Sequence, residues 1–184
     1  MSIIAKGSSS GNFVSCPSGT QAGVCVDVVD LGVIKNDMFK NPDGTDKWQH
    51  KINVVWESSE TMDNGRPFLV SKRYTLSLGE KATLRHDLES WRGRPFTEDE
   101  LRGFDVETIL GVSALLNVVH KTGSKGGTFA NVASVSPLVR GMEKLQPSGD
   151  YVRVCDRVPT HDVDDYVPPS DDDASAPPVD DIPF

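Results

Sequence analysis

The side chains best suited to hold a metal or attack a carbonyl in this chain are four histidines and three cysteines. His50, His86, His120 and His161 stand far apart, and none has another His or Cys at metal-ligand spacing. Cys16, Cys25 and Cys155 form no CxxC pair; their odd, scattered number argues against a disulfide framework and a zinc site and fits buried or partly buried thiols. The glycine-rich stretch GSKGG at 123–127 lacks the Lys-Ser/Thr ending of a phosphate-binding loop. HExxH, GxSxG and the spacing of a calcium loop are absent, although ESSE at 57–60 and the late aspartates could hold a metal loosely. His86-Asp87 reads as a solvated helix face. The chain is therefore expected not to be an enzyme, and no cofactor or metal is implied.

A second set of residues suits polyanion binding better. Lys35, Lys40, Lys47, Lys51, Arg73, Lys121 and Lys125 are cations that could track phosphates, and Phe39, Trp48 and Phe129 offer rings on which flat bases could stack. Gln49, Asn53 and Thr75 add hydrogen-bonding groups. Phe39 stands in a polar stretch with no apolar neighbourhood to explain it; Trp48 alternates in phase with Ile52 and Trp56 and suits a core or rim position equally.

Charge is unevenly placed. The net charge is −8 over 184 residues, with 19 basic and 27 acidic side chains. Beyond Arg157 there is no Lys or Arg, and eight aspartates lie there, from Asp162 to Asp181. The rest is balanced, nineteen against nineteen, so the tail carries the whole excess. Residues 158–184, rich in Asp and Pro, are expected to stay disordered. They close on an apolar Ile182-Pro183-Phe184 behind Asp180 and Asp181, which solubility alone does not explain. A ring for a pocket beside carboxylates for its basic rim suits docking to another protein. Apolar residues make up 37%, low for a chain that packs throughout. No apolar run reaches the roughly 18 residues of a membrane span, and MSIIAKGSSSGNF lacks a leader's apolar core. The expected location is the cytoplasm.

The elements that must position these groups follow from periodicity. Residues 1–20 read as a flexible arm. AGVCVDVVDLGVI predicts a strand near 22–33, and KNDMFKNPDGTDK a loop over 35–47. WQHKINVVWE alternates, with Trp48, His50, Ile52, Val54 and Trp56 on one face and Gln49, Lys51, Asn53, Val55 and Glu57 on the other. After Asn64-Gly65, FLVSKRYTLSL resumes the pattern. Phe68, Val70, Tyr74, Leu76 and Leu78 share the greasy face, Lys72 breaks it, and Leu69, Ser71, Arg73, Thr75 and Ser77 lie opposite. Leu84, Leu88 and Trp91 recur at helical spacing, ended by Gly93 and Pro95. Thr97 and Glu100 predict a capping box on a short second helix. LGVSALLNVVHK and FANVASVSPL are two further strands around a basic loop. Strand, strand, strand, helix, strand, strand matches a mainly β protein of the OB type: a five-stranded barrel with a helix between strands 3 and 4, over residues 21–157. An α+β sheet of another type stays open. On such a barrel the polar face of strands 2 and 3, with loops 1–2 and 4–5, forms a groove for single strands. That assigns DNA binding to Lys35, Phe39, Lys47, Trp48, Lys51, Arg73, Lys121, Lys125 and Phe129.

DDIPF at 180–184, behind an acidic Pro-rich linker, resembles the C-terminal tip of bacterial single-stranded DNA-binding proteins. YTLSLGEKATLRHDLESWRGRPF resembles OB-fold proteins encoded by bacteriophages and prophages. The extra segment WRGRPFTEDELRGF sets the body apart from the bacterial core domain. These resemblances imply a phage-type single-stranded DNA-binding protein acting in replication, recombination or repair in a bacterial host cell, at its nucleoid or replication sites. Asp180, Asp181, Ile182, Pro183 and Phe184 would recruit its partner proteins. Three points stay open: a homo-oligomer, strand annealing, and an adaptor or decoy that engages host replication proteins through the tip without strong DNA binding of its own.

Overall fold

The computed structural model describes residues 14–122 and 127–157. The expected disordered tail, its tip and Lys125 lie outside the described residues. Five antiparallel-paired strands form one sheet in the order β3-β2-β1-β4-β5. They are β1 (Gly19–Lys40), β2 (Asp46–Thr61), β3 (Pro67–Thr75), β4 (Ser113–Thr122) and β5 (Thr128–Ser136). Between β3 and β4 come the helix α1 (Thr83–Arg92), the short helix α2 (Glu98–Arg102) and a 3-10 turn at Val106–Ile109.

The barrel is the first correction. Among the described residues no ladder joins β3 to β5, so the sheet is open. The two edges approach without pairing: Lys72 Nζ donates across the gap to the Ala133 carbonyl at 2.9 Å. The same ammonium donates to Asp87 Oδ2 at 2.6 Å, and Tyr74 OH donates to that oxygen at 2.7 Å. This explains the cation that interrupts the apolar face of β3. It also corrects the reading of Asp87 as a solvated helix residue, since it pins α1 to β3.

The first strand runs well past the expected 22–33. The segment read as a loop over 35–47 keeps strand backbone up to Lys40, with Lys35 opposite Trp48 and Lys40 opposite Asp46 and an irregularity between these two pairs. Turn chemistry is confined to 41–45, where Asn41 and Thr45 exchange a backbone bond and Gly44 takes φ 83°. Register shifts at Cys25/Asp27, Asp30/Gly32 and Lys35/Lys40 bend this long strand, so that 19–24 pair with β4 while the strand from Gly23 onward pairs with β2. Gly23 allows the sheet to pack at that crossing. A Cβ there would stand 2.5 Å from Leu116 Cδ1.

The alternation on β2 and β3 holds where the core reaches. Ile52, Val54, Trp56, Phe68, Val70 and Tyr74 are buried against Leu84, Leu88 and Trp91 of α1. The Trp56 and Trp91 rings sit 6.0 Å apart, and Trp91 Nε1 donates to the Ser113 carbonyl. Leu76 is a correction, because β3 ends at Thr75 and Leu76 is exposed. Residues 14–20, expected in a flexible arm, are tied in by Cys16, whose side chain is buried and whose carbonyl is 2.7 Å from His120 Nε2. Cys25 is buried too, and burial pushes its thiol up to about 12, whereas Cys155 is exposed, against the expectation of three buried or partly buried thiols.

The segment after α1 has its own small assembly. The Arg92 guanidinium lies 4.4 Å from the Phe96 ring and 5.3 Å from Phe104, and bonds to Glu100. The expected capping box is present: Glu100 N donates to Thr97 Oγ1 at 3.3 Å and Thr97 N donates to Glu100 Oε2 at 3.0 Å. Thr97→Ala should lower the unfolding free energy by about 1 kcal/mol in urea titration; no change would mean that Arg92 and Arg94 hold Glu100 unaided.

The opposite face of the sheet is not uniformly polar and open, as the alternation suggested. Residues 145–157 form a strap across it, with Leu145 and Tyr151 packed on Val24, Val26 and Val55. Two strand carboxylates are buried beneath. Asp27, 1% exposed, accepts from Tyr151 OH, Arg153 Nε and Val154 N. Glu57, 3% exposed, accepts from Ser148 N and Ser148 Oγ. The strap divides the polar face of β2 in two, with Val55 and Glu57 covered and Gln49, Lys51 and Asn53 beyond it.

Candidate nucleic-acid interface

Strand register brings the open half of this face together. Lys51 pairs across the ladder with Thr75, and Asn53 with Arg73. Paired residues in an antiparallel ladder present their side chains to the same face. Lys51 Nζ donates to Thr75 Oγ1 at 2.6 Å, which holds the ammonium over β3. The chain then turns at Ser77–Gly79 and enters α1, so that Lys81 and the start of the helix close the end of a cleft of ≈ 500 Å³. Its lining includes Gln49, Lys51, Arg73, Thr75, Ser77 and Lys81 and contains no carboxylate. Ala82, the N-cap of α1, provides no side-chain cap, and the first turn carries no acid, so the positive end of the helix dipole is left without a side-chain counter-charge there.

Salt bridges hold some of the described cations and leave others open. Lys35, Lys72, Arg85, Arg92, Arg94, Arg102 and Arg153 are in salt bridges. Among the described residues Lys47, Lys51, Arg73, Lys81 and Lys121 are in none. The cleft lining carries three cations and no carboxylate, so it presents local positive potential although the formal charge of the body is balanced.

The remaining sequence-assigned residues fall into two further groups. Lys121 and Phe129 are a cross-strand pair near the free end of β4–β5. Phe129 is 53% exposed, and its ring approaches Gly127 so closely that a Cβ there would lie 3.1 Å from it. Phe129 also lines a mostly apolar cleft with Val14, Met62, Leu69 and Ser71. Leu69, Ser71, Arg73 and Thr75 alternate along one face of β3, so this apolar cleft and the cationic one follow each other along that strand. The third group, Lys35, Phe39, Lys47 and Trp48, lies on the distal part of the β1–β2 hairpin. Trp48, 61% exposed, stands outside the core although it keeps the core's phase, because the ladder outruns the packing. It is opposite Lys35, which is bridged to Asp46 at 2.7 Å, and by alternation it faces away from Lys51. Phe39 is 64% exposed. The structure thus unites Lys51 and Arg73, brings Phe129 alongside the same strand with Lys121 as its cross-strand neighbour on β4, and leaves the hairpin group apart. Lys81 was missed by sequence reasoning, because its place in the cleft depends on the turn between β3 and α1.

The chain matches no protein-family model, and no curated protein is significantly similar to it. Among the described residues no group of three or more His, Cys, Asp or Glu could hold a metal ion, and no helix is long and apolar enough to cross a membrane. The chemistry available at the cleft is recognition of an anion by fixed cations and hydroxyl donors, beside apolar surface and a ring.

Proposed function

We propose that the chain is an OB-type protein that binds single-stranded DNA without sequence preference, and that residues 158–184 recruit proteins of replication, recombination or repair. The observation that carries this reading is the carboxylate-free cleft on β2–β3, where Lys51, Arg73 and Lys81 stand without salt-bridge partners among the described residues. Cations on a sheet face beside an exposed ring suit a ligand that alternates phosphates with flat apolar bases. Lysine and arginine contacts to phosphate carry no sequence information, which favours indifference to base order.

The element order supports the OB assignment. β1 is central and pairs with both β2 and β4, and the helix falls between β3 and β4. β3 and β5 also run alongside each other in the same direction: Phe129 and Ala130 lie beside 68–71, and Ala133 beside Lys72. An OB barrel closes at that seam, and here the two strands meet without a ladder.

The test is the salt dependence of oligo-dT binding. Engagement of the three cleft cations by phosphates should give a slope of about −2 in log K against log salt, steeper if Lys121 joins them. A slope near zero would rule out phosphate recognition by this cleft.

A further inference from the structure

A second cavity lies on the far side of α1 from the cationic cleft's helix end. It measures ≈ 370 Å³, and its lining is mostly apolar: Trp91, Val112, Pro137, Leu138 and Leu145, with Lys144 at its edge. The loop 137–146 that borders it holds exposed Val139 and Met142, and Val112 is exposed as well, so apolar surface is concentrated here without a partner. Arg140 and Lys144 stand in this loop with no salt bridge among the described residues, against one carboxylate, Glu143. An occupant matched to this site has an apolar or aromatic end flanked by negative charge.

We infer that this cavity receives the chain's own segment 180–184, with Ile182, Pro183 and Phe184 in the apolar part and Asp180 and Asp181 towards Lys144 and Arg140. Two observations select this occupant. Its chemistry is complementary in both parts, acidic where Lys144 stands at the rim, with Arg140 in the same loop, and apolar where the lining is apolar. It is also within reach. The strap brings the chain back over the sheet next to the cavity, since Gly111 borders both this cavity and the recess beside Arg153. From Arg157 a further 22 residues precede Asp180. A chain of that length behaving as a coil spans about 25 Å between its ends. Tethering at such a distance gives an effective concentration in the millimolar range, so a weak site would be occupied. A protein partner that takes the same segment would then have to compete with the body of its own chain.

The test compares assigned ¹H–¹⁵N spectra of the full chain and of full-length Phe184→Ala. The amides of Val112, Leu138 and Leu145 and the indole N–H of Trp91 should differ between the two. Adding free Val-Asp-Asp-Ile-Pro-Phe peptide to Phe184→Ala should return them towards the full-chain positions, and full-length Lys144→Glu should resemble Phe184→Ala. Identical spectra at these positions would overturn the inference. So would differences confined to Lys51, Arg73 and Lys81, which would put the tail on the cationic cleft, or differences that grow with protein concentration, which would assign the segment to a second copy. Oligo-dT titration reads the other cleft, so failure of one reading does not imply failure of the other.

Discussion

Replacing Lys51 and Arg73 together by glutamate is expected to weaken oligo-dT binding by at least about 100-fold, about 2.8 kcal/mol. The two side chains lie on one face of adjacent strands and line a cleft with no carboxylate to offset them. Each charge-assisted hydrogen bond to a phosphate contributes about 1.5–3 kcal/mol, and reversal of sign adds repulsion to the loss. Folding should be affected much less. Neither cation is in a salt bridge among the described residues and Arg73 is exposed, while half-buried Lys51 loses its hydrogen bond to Thr75, so the change in unfolding free energy should stay within about 1.5 kcal/mol. The variant thus separates binding from stability. Anisotropy titration beside urea unfolding checks both, and a variant that binds as the parent does would remove the cleft from the proposal. Lys35→Glu provides a contrast. Lys35 is bridged to Asp46 on the hairpin, away from the cleft, and its loss should weaken binding several-fold less than the double reversal.

Asp27→Ala should be the most damaging single substitution for the fold, at about 3–5 kcal/mol. The carboxylate is buried and accepts from three groups of the strap at 2.8 to 3.2 Å. Its removal leaves the Tyr151 hydroxyl, the Val154 amide and Arg153 without that partner, although Arg153 keeps Glu107. Val24, Val26 and Val55 would lose the cover of Leu145 and Tyr151 as the strap loosens. Hydrogen exchange should speed up over 145–157 before the rest of the sheet responds. Acid should produce the same release. Burial acts to raise the Asp27 pKa, but bonds from Val154, Tyr151 and Arg153 outweigh it and hold the carboxyl below its ordinary range. A folded-state pKa below the unfolded one stabilises above the unfolded value, about 3.9, and that contribution is lost as the pH falls through the folded value. The strap should therefore stay anchored at neutral and mildly acid pH and let go only as the pH falls below the ordinary carboxylate range, through the depressed value of Asp27. A loss under about 1 kcal/mol for Asp27→Ala, or exchange rates over 145–157 unchanged by it, would mean that the clamp does not hold the strap.

The parts of the fold that were legible in the sequence are those set by local spacing. Period two on 48–57 and 68–78 assigns Ile52, Val54, Trp56, Phe68, Val70 and Tyr74 to one face, and all six are buried. Helical spacing finds Leu84, Leu88 and Trp91, and the Thr97/Glu100 pattern finds the second helix. What escaped depends on distant partners. Asn, Pro, Asp and Gly in 35–47 have low strand propensity, yet pairing resumes at Lys40 opposite Asp46 after an irregularity at 36–39 and brings the strand up to the turn. The strap has few apolar residues and no periodicity, because it is held by polar groups that meet Asp27 and Glu57 from 91 to 127 positions away. In a valine-rich strand Asp27 passes as one more surface charge. Lys72 likewise gives no local hint of Asp87 and Ala133. Of the candidate site, Lys51 and Arg73 were accessible from alternation alone. Lys81 was not, since its role depends on how the chain turns after β3.

The central claim is that this cleft selects a single strand. Fluorescence-anisotropy titration of a labelled oligo-dT and of a duplex of equal length, with the full chain at low and at physiological salt, tests it most directly. Tight, salt-sensitive binding of the single strand with much weaker binding of the duplex is the expected result. Equal affinity for the duplex, or no binding of oligo-dT at low salt, would contradict it.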